Sequence, residues 1–396
     1  MLKSFLSMTH ARQQLADAHR IVVKLGTHVV MHDGELARER IGHLLDGLAG
    51  LRRAGREVLL VSSGAVGMGM RVLGLKERPR SLGDRQACAA VGQGHLMGVY
   101  TQELAARGLT AAQVLLTQED LADRDRAICL RTTLLRLLEL GVVPVLNEND
   151  SVSVAELIEY KRGQGVPAAT TAFGDNDGLS ARVAVALDAD LLVMLTNVGG
   201  FFTANPKTDP GAARISELDG VDEAALARAS GGSAGGTGGM ASKLAAAALA
   251  SAEGTAVLIA GGGEPRVLER ALGGEDLGTL ISIGARRPAR LRHIAVGARR
   301  RGALVINEGA LAALNGQKKA SLLPIGVVSV EGSFEKGDVV EIRDGSGRVH
   351  GRGLVNYAAD ACRKLAGRHS DDIDTILGWR GYDALITRDN LVMGAV

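Results

Sequence analysis

Short, almost wholly apolar runs recur along this chain with helical stretches between them. Residues 21–24, 58–62, 142–146, 191–195 and 257–260 each read as a strand buried on both faces. Between the first two runs, Ile41, Leu44, Leu45, Leu48 and Leu51 fall at helical spacing and predict an amphipathic helix. Leu134, Leu135, Leu138 and Val142 carry the same period up to the third run. Strands that alternate with helices of this length predict an α/β fold, an open, mostly parallel sheet sandwiched by helices. In such sheets ligands gather beyond the carboxyl ends of the strands.

The pattern breaks near residue 285. Residues 286–301 carry seven arginines and no acid, and beyond them the helical period fades. Residues 327–330, 339–342 and 349–355 read as strands, the last two joined by Asp344-Gly345-Ser346-Gly347, a hairpin-type turn. Two domains follow from this: 1–285, where the chemistry is expected, and 286–396, small and β-rich, with a tail around Trp379. The arginine run reads either as phosphate contacts to a nucleic acid or as a solvated linker. Its shortness, a 3% aromatic content and a net charge of only +2 favour the linker.

Composition narrows the setting. With 46% apolar and 23% charged residues, the 396-residue chain has the balance of a well-packed soluble protein. Aromatic residues are scarce, so Leu, Val, Ile and Ala must fill the core, while 53 glycines call for a specific use such as phosphate cradles. Cys88, Cys129 and Cys362 are widely spaced, which speaks against a disulfide framework or a zinc cluster and fits a reducing compartment. The first twenty residues lack the apolar core of a secretion signal, and no long apolar run spans a membrane, so the expected location is the cytoplasm.

Four motifs lie where the strands end. Lys24 closes the first strand and is followed by Gly26, which lets backbone N–H groups approach an anion; a strand-ending surface lysine would look the same. Ser62-Ser63-Gly64-Ala65 closes the second strand ahead of a helix, as an anion-binding turn or a plain tight turn. Asn147-Glu148-Asn149-Asp150 follows the third strand, and Gly174-Asp175-Asn176-Asp177 precedes a helix expected from Leu179. Their carboxylates and carboxamides suit an ammonium group, a lysine or a hydrated Mg²⁺, or simply cap solvated loops. Finally, residues 235–243 read as a glycine-rich loop that ends on Lys243, either a flexible loop whose N–H groups face phosphates or a low-complexity linker. It matches a dinucleotide fingerprint only formally, since no β-branched strand precedes it, and Ser242 occupies the place of the glycine that a Walker A loop needs before its lysine.

In their order along residues 21–243, these motifs resemble those of the glutamate 5-kinases, a group within the amino-acid kinase family. The stretches concerned are Val-Val-Lys-Leu-Gly-Thr, Ser-Ser-Gly-Ala, Asn-Glu-Asn-Asp, Gly-Asp-Asn-Asp, Leu-Thr-Asn-x-Gly-Gly-Phe-Phe-Thr-Ala-Asn-Pro and Gly-Thr-Gly-Gly-Met-Ala-Ser-Lys. Gly353-Leu354-Val355-Asn356-Tyr357 and Ile376-Leu377-Gly378 resemble a PUA domain, so the second domain is expected to be a small β-rich PUA-like barrel.

The resemblance implies ATP-dependent, Mg²⁺-assisted phosphorylation of the side-chain carboxylate of L-glutamate to L-glutamyl 5-phosphate, the first step of proline biosynthesis. It implies that Lys24 and Lys243 contact the ATP phosphates, that Asp177 orients both lysines, and that Asp175 assists. The nucleotide site would comprise Lys24, Gly26, Thr196, Asn197, Thr237, Gly238, Gly239, Met240, Ala241, Ser242 and Lys243. Ser63, Asn147, Asp150 and Asn176 would hold glutamate, and no side chain is assigned as a metal ligand. His28 and Asn197 stand where the family commonly has serine and aspartate. Residues 155–172 form a longer link than usual, in which Lys161 and Arg162 are expected to be solvated. A homo-oligomer, a partnership with glutamyl-phosphate reductase and RNA contact through the PUA-like domain are further expectations. The competing readings are another amino-acid kinase, such as an acetylglutamate kinase, or an RNA-binding protein of PUA type. The paired acidic motifs and the appended domain argue against the first, and the modest charge against the second.

Overall fold

A computed structural model describes residues 12–77, 79, 81–153, 176–230, 239–283, 300–316, 320–379 and 381–394. The described residues divide into two compact units, one within Met1–Leu121 and Ile128–Arg286, the other within Ala122–Ala127 and Arg287–Val396.

The first unit is built on an eight-stranded sheet. In chain order its strands are β1 (Arg20–Leu25), β2 (Glu57–Ser62), β3 (Ala111–Leu116), β4 (Val143–Glu148), β5 (Leu191–Thr196), β6 (Glu217–Leu218), β7 (Ala256–Gly261) and β8 (Thr279–Ile281). Across the sheet they lie in the order β3-β4-β2-β1-β5-β7-β8-β6. Every pair from β3 to β7 is parallel; β8 runs antiparallel to β7 and parallel to β6. All five strands expected from the apolar runs are present. The sequence reading missed β3, β6 and β8. β3 is an edge strand of mixed exposure that opens Ala-Ala-Gln, and the other two are only two or three residues long.

The side-chain alternation of β1 assigns the faces. Ile21, Val23 and Leu25 pack into one core with α1 (Arg38–Arg53), α3 (Leu82–Ala105) and the short helix Val267–Leu272. The predicted stripe of α1, Ile41 to Leu51, is buried there throughout. The opposite face carries α5 (Asn176–Ala186), which packs on β1, β2, β4 and β5, with α6 (Met240–Ala252) against it. α5 is buried almost all round, and Ala246, Ala247 and Ala250 give α6 the small side chains that close helix packing requires. α4 (Arg124–Glu139) leads into β4 and buries Leu134 and Leu138, as its period predicts.

α2 (Ala65–Val72) crosses α3 at backbone contact. A Cβ on Gly69 would lie 1.8 Å from the Cys88 carbonyl oxygen, and one on Gly92 would lie 1.8 Å from that of Ala65. Gly64, at φ +106°, turns the chain from β2 into α2 in a conformation that side-chain-bearing residues rarely adopt. Together these glycines fix the Ser63-Gly64-Ala65 turn.

The second unit contains a five-stranded sheet of β9 (Arg300–Ile306), β10 (Val327–Gly332), β11 (Val339–Arg343), β12 (Val349–Leu354) and β13 (Leu391–Met393), in the order β10-β9-β11-β12-β13. Leu304, Ile342, Phe334, Val355, Tyr357 and Leu385 are among its core residues. The expected turn joins β11 to β12: the Asp344 N–H donates to the Arg348 carbonyl at 3.0 Å, and Gly347 sits at φ +85°. β9 escaped the sequence reading because it opens inside the arginine run, whose residues 286, 287, 290, 292 and 299 lie outside the described residues. No described helix is long and apolar enough to cross a membrane.

Candidate active site

Parallel register gathers four distant motifs along one edge of the sheet. Leu25 lies opposite Ser62 on β2 and Leu195 on β5; Leu116 lies opposite Glu148, and Thr196 opposite Gly261. The carboxyl ends of β4, β2, β1, β5 and β7 therefore stand side by side.

α5 starts at Asn176, three residues before the expected Leu179, so Asn176 and Asp177 occupy its first turn. Asp177 has no exposed surface. One of its oxygens accepts from Lys24 Nζ at 2.5 Å, the other from Lys243 Nζ at 3.1 Å and Ser242 Oγ at 2.7 Å. Lys24 comes from the end of β1, Ser242 and Lys243 from the first turn of α6, and both lysines are buried. Burial by itself would raise the Asp177 pKa. The charges of Lys24 and Lys243 outweigh it and, with the hydrogen bonds from Lys24 and Ser242, hold this carboxyl below its ordinary range.

Beside this cluster runs a chain of side-chain amides. Asn176 Nδ2 donates to the Ser62 carbonyl at 2.9 Å, to Ser63 Oγ at 3.0 Å and to Asn147 Oδ1 at 2.9 Å. Asn147 Oδ1 also accepts from the Glu148 N–H at 2.9 Å, and Asn147 Nδ2 donates to Gln93 Oε1 on α3 at 2.7 Å. Asn176 Oδ1 is buried and has no hydrogen-bond partner among the described residues. An unpaired buried acceptor is costly, and a ligand with N–H or O–H groups would relieve it. Glu148 accepts from Ser153 Oγ at 2.5 Å, and Asp150 lies half-buried in the turn after β4.

The remaining nucleotide candidates lie along the same edge. Thr196 ends β5, and its hydroxyl donates to Asn197 Oδ1 at 3.3 Å. Gly26 ties β1 to β5 through an N–H to the Leu195 carbonyl at 3.1 Å, and a Cβ there would press on that same oxygen at 3.2 Å. Gly239 precedes α6 in extended conformation without a side-chain cap, and Met240 and Ala241 open the helix. Asp175, Thr237, Gly238 and the 155–172 link, with Lys161 and Arg162, lie outside the described residues.

Four participants were not legible as site residues: Gln93, Ser153, Tyr100 and the role of Ser62. The Tyr100 hydroxyl and Ser62 Oγ are 2.6 Å apart and buried, and burial pushes the phenol above its ordinary pKa. Leu96, Tyr100 and Leu104 share one face at four-residue spacing, which marks a phenol on its way into the core and in need of a partner. Gln93 and Ser153 carry no comparable signal.

Residues 19–261 match the amino acid kinase family and residues 302–377 match the PUA domain. The chain is 46% identical over 378 residues to the glutamate 5-kinase of Gloeobacter violaceus, spanning 94% of this chain and 98% of that one. It is 44% identical over 385 residues to the glutamate 5-kinases of Moorella thermoacetica and Burkholderia mallei, in both cases across 96% of this chain and across 98% and 100% of theirs. Among solved structures, carbamate kinase from Giardia lamblia bound to AMP-PNP aligns over 68% of this chain and 100% of its own, at 19% identity and a TM-score of 0.47. The chain belongs to the amino acid kinase family, among its glutamate 5-kinases, with a PUA domain following the kinase domain.

Proposed function

We propose that this protein transfers the terminal phosphoryl group of ATP to the side-chain carboxylate of L-glutamate, giving L-glutamyl 5-phosphate for proline synthesis. One observation carries the reading: Lys24 and Lys243, 219 residues apart, meet on the two oxygens of Asp177, next to the amide chain. The glutamate side chain has a pKa of about 4.3 and is ionised at neutral pH, so the reaction needs no general base. The obstacle is the approach of an anion to a polyanion, which positioned cations overcome.

In this mechanism Lys24 and Lys243 offset charge on the transferring oxygens, and Asp177 with Ser242 holds them in place beforehand. Gly26 and the N–H groups at the start of α6, with Thr196 and Asn197, line the nucleotide. Ser63, Asn147 and Asn176 grip the amino acid, with Asp150 against its ammonium group. Both Asp177 oxygens are engaged by Lys24, Lys243 and Ser242, so Mg²⁺ is proposed to be carried by the phosphates and water, where it would supply charge neutralisation. Asp175 is proposed to assist.

The same reading puts the domain boundary between 285 and 286, the enzyme in the cytoplasm as a homo-oligomer, and glutamyl-phosphate reductase downstream. The product is an anhydride that water destroys, which supports prompt hand-over. RNA contact through the PUA-like second domain has its support in exposed Trp379 and Tyr382, in the tail just beyond the matched PUA residues, with Lys336 Nζ 5.7 Å from the Tyr382 ring centre.

The test is to incubate the purified protein with ATP, Mg²⁺, glutamate and hydroxylamine. Hydroxamate should form with glutamate and far less with aspartate or N-acetylglutamate, and ATP consumption should not be stimulated by UMP. Absence of glutamate hydroxamate, or a preference for N-acetylglutamate, would refute the proposal.

A further inference from the structure

We infer that Gln93 is a positioning residue for the amino-acid substrate, because it anchors the far end of the amide chain that ends on Asn176 Oδ1. The inference deepens the glutamate-kinase reading and rests on it.

Each amide in the chain can face only one way, and the backbone decides which. The Ser62 carbonyl accepts and cannot donate, so Asn176 must turn its NH₂ towards it. The Glu148 N–H donates and cannot accept, so Asn147 must turn its oxygen towards that group. The Asn147 NH₂ is then left for an acceptor, and Gln93 Oε1 provides one at 2.7 Å. The Asn147 oxygen faces the Asn176 NH₂ as a result, and the Asn176 oxygen is left buried without a partner among the described residues.

A carbonyl in that situation accepts hydrogen bonds and repels carboxylates. It is suited to the α-ammonium group of a free amino acid, and the chain behind it is anchored two amides away. Gln93 is well placed to anchor it, because the preceding residue, Gly92, lies in backbone contact with Ala65 and Gly69. α3 therefore cannot drift from the Ser63-Gly64-Ala65 turn that bears another substrate residue. Without the Gln93 oxygen, the Asn147 NH₂ loses its acceptor, and Asn147 and Asn176 are held less firmly in the arrangement that the backbone favours.

The experiment compares full-length wild type, Gln93→Leu and Gln93→Glu by hydroxamate formation, titrating glutamate at saturating ATP and ATP at saturating glutamate. Gln93→Leu should raise the KM for glutamate about tenfold, the equivalent of one oriented hydrogen bond, and leave the KM for ATP within about twofold. Gln93→Glu keeps an acceptor facing Asn147 and should bring the glutamate KM back to within about threefold of wild type. Thermal midpoints of all three should agree to within a few degrees. Equal rises in both KM values, no change in either, or a Gln93→Glu variant no better than Gln93→Leu would overturn the inference. Wild type that makes no glutamate hydroxamate would instead overturn the parent reading.

Discussion

Asp177 has no contact with solvent, yet its environment favours the ionised form. Burial works against that form, and two lysines with a serine hydroxyl restore it. The sign of its pH effect follows. An unfolded aspartate titrates near pH 3.9, and here the folded value is lower. Its stabilising contribution is therefore complete above that ordinary value and fades as pH falls from there through the depressed folded value. Acid unfolding of the wild type should have an additional loss in that low window, and Asp177→Asn should lack it; the same loss in both proteins would remove Asp177 as its source. Turnover is the second readout. Lys24→Ala, Lys243→Ala or Asp177→Asn should each lower kcat roughly a hundredfold or more, the usual effect of losing one aimed group. Near-normal kcat in any of them would dismiss that residue from its role. Lys24 and Asp177 were legible through the family resemblance of their motifs, since a strand-ending surface lysine and an acid capping a solvated loop would otherwise look the same. Gln93 was not, since a glutamine on a long helix looks solvated until the fold brings a residue 54 positions away to meet it.

Among the elements, the α2–α3 crossing is the one that leaves least room. Gly69 and Gly92 face backbone atoms, which cannot rotate aside as a flexible side chain could. Gly92→Ala should destabilise the fold by about 3 kcal/mol, the upper end for overpacking, and should raise the glutamate KM by shifting the Ser63 turn. An unchanged denaturation midpoint would show that the helices separate at little cost. The central strands were legible because each is buried on both faces and so must be apolar without alternation. β3 was not, because an edge strand with one open side tolerates Gln113 and exposed Leu115. The start of α5 was placed three residues late for a related reason. Asn176 and Asp177 look like loop residues, and it is their buried partners on β1, β2, β4 and α6 that draw them into the helix.

At the scale of the molecule, chain segments far apart in sequence are held together by single polar side chains. Arg12 is buried, donates to the carbonyls of Ser216, Glu275, Leu277 and Gly278 at 2.7–3.2 Å, and pairs with Asp276 at 2.9 Å. Arg12→Met would leave those carbonyls short of a donor. It should cost about 3 kcal/mol, visible as a Tm lower by several degrees, while KM values stay put. A wild-type Tm would mean that other contacts carry the joint. The division into a parallel-sheet unit and a β-rich unit was legible from the change in periodicity near residue 285, whereas Arg12 was not, since nothing nearby in the sequence marks its partners. The Asp177 cluster has one further consequence. On the proposed roles of Lys24 and Lys243, an incoming triphosphate would meet lysines already associated with a resident anion, so binding would be an exchange of counter-ions rather than the quenching of two bare cations. Such an exchange would moderate affinity for ATP at rest and keep the pull of both ammonium groups for the moment when negative charge spreads outward during transfer.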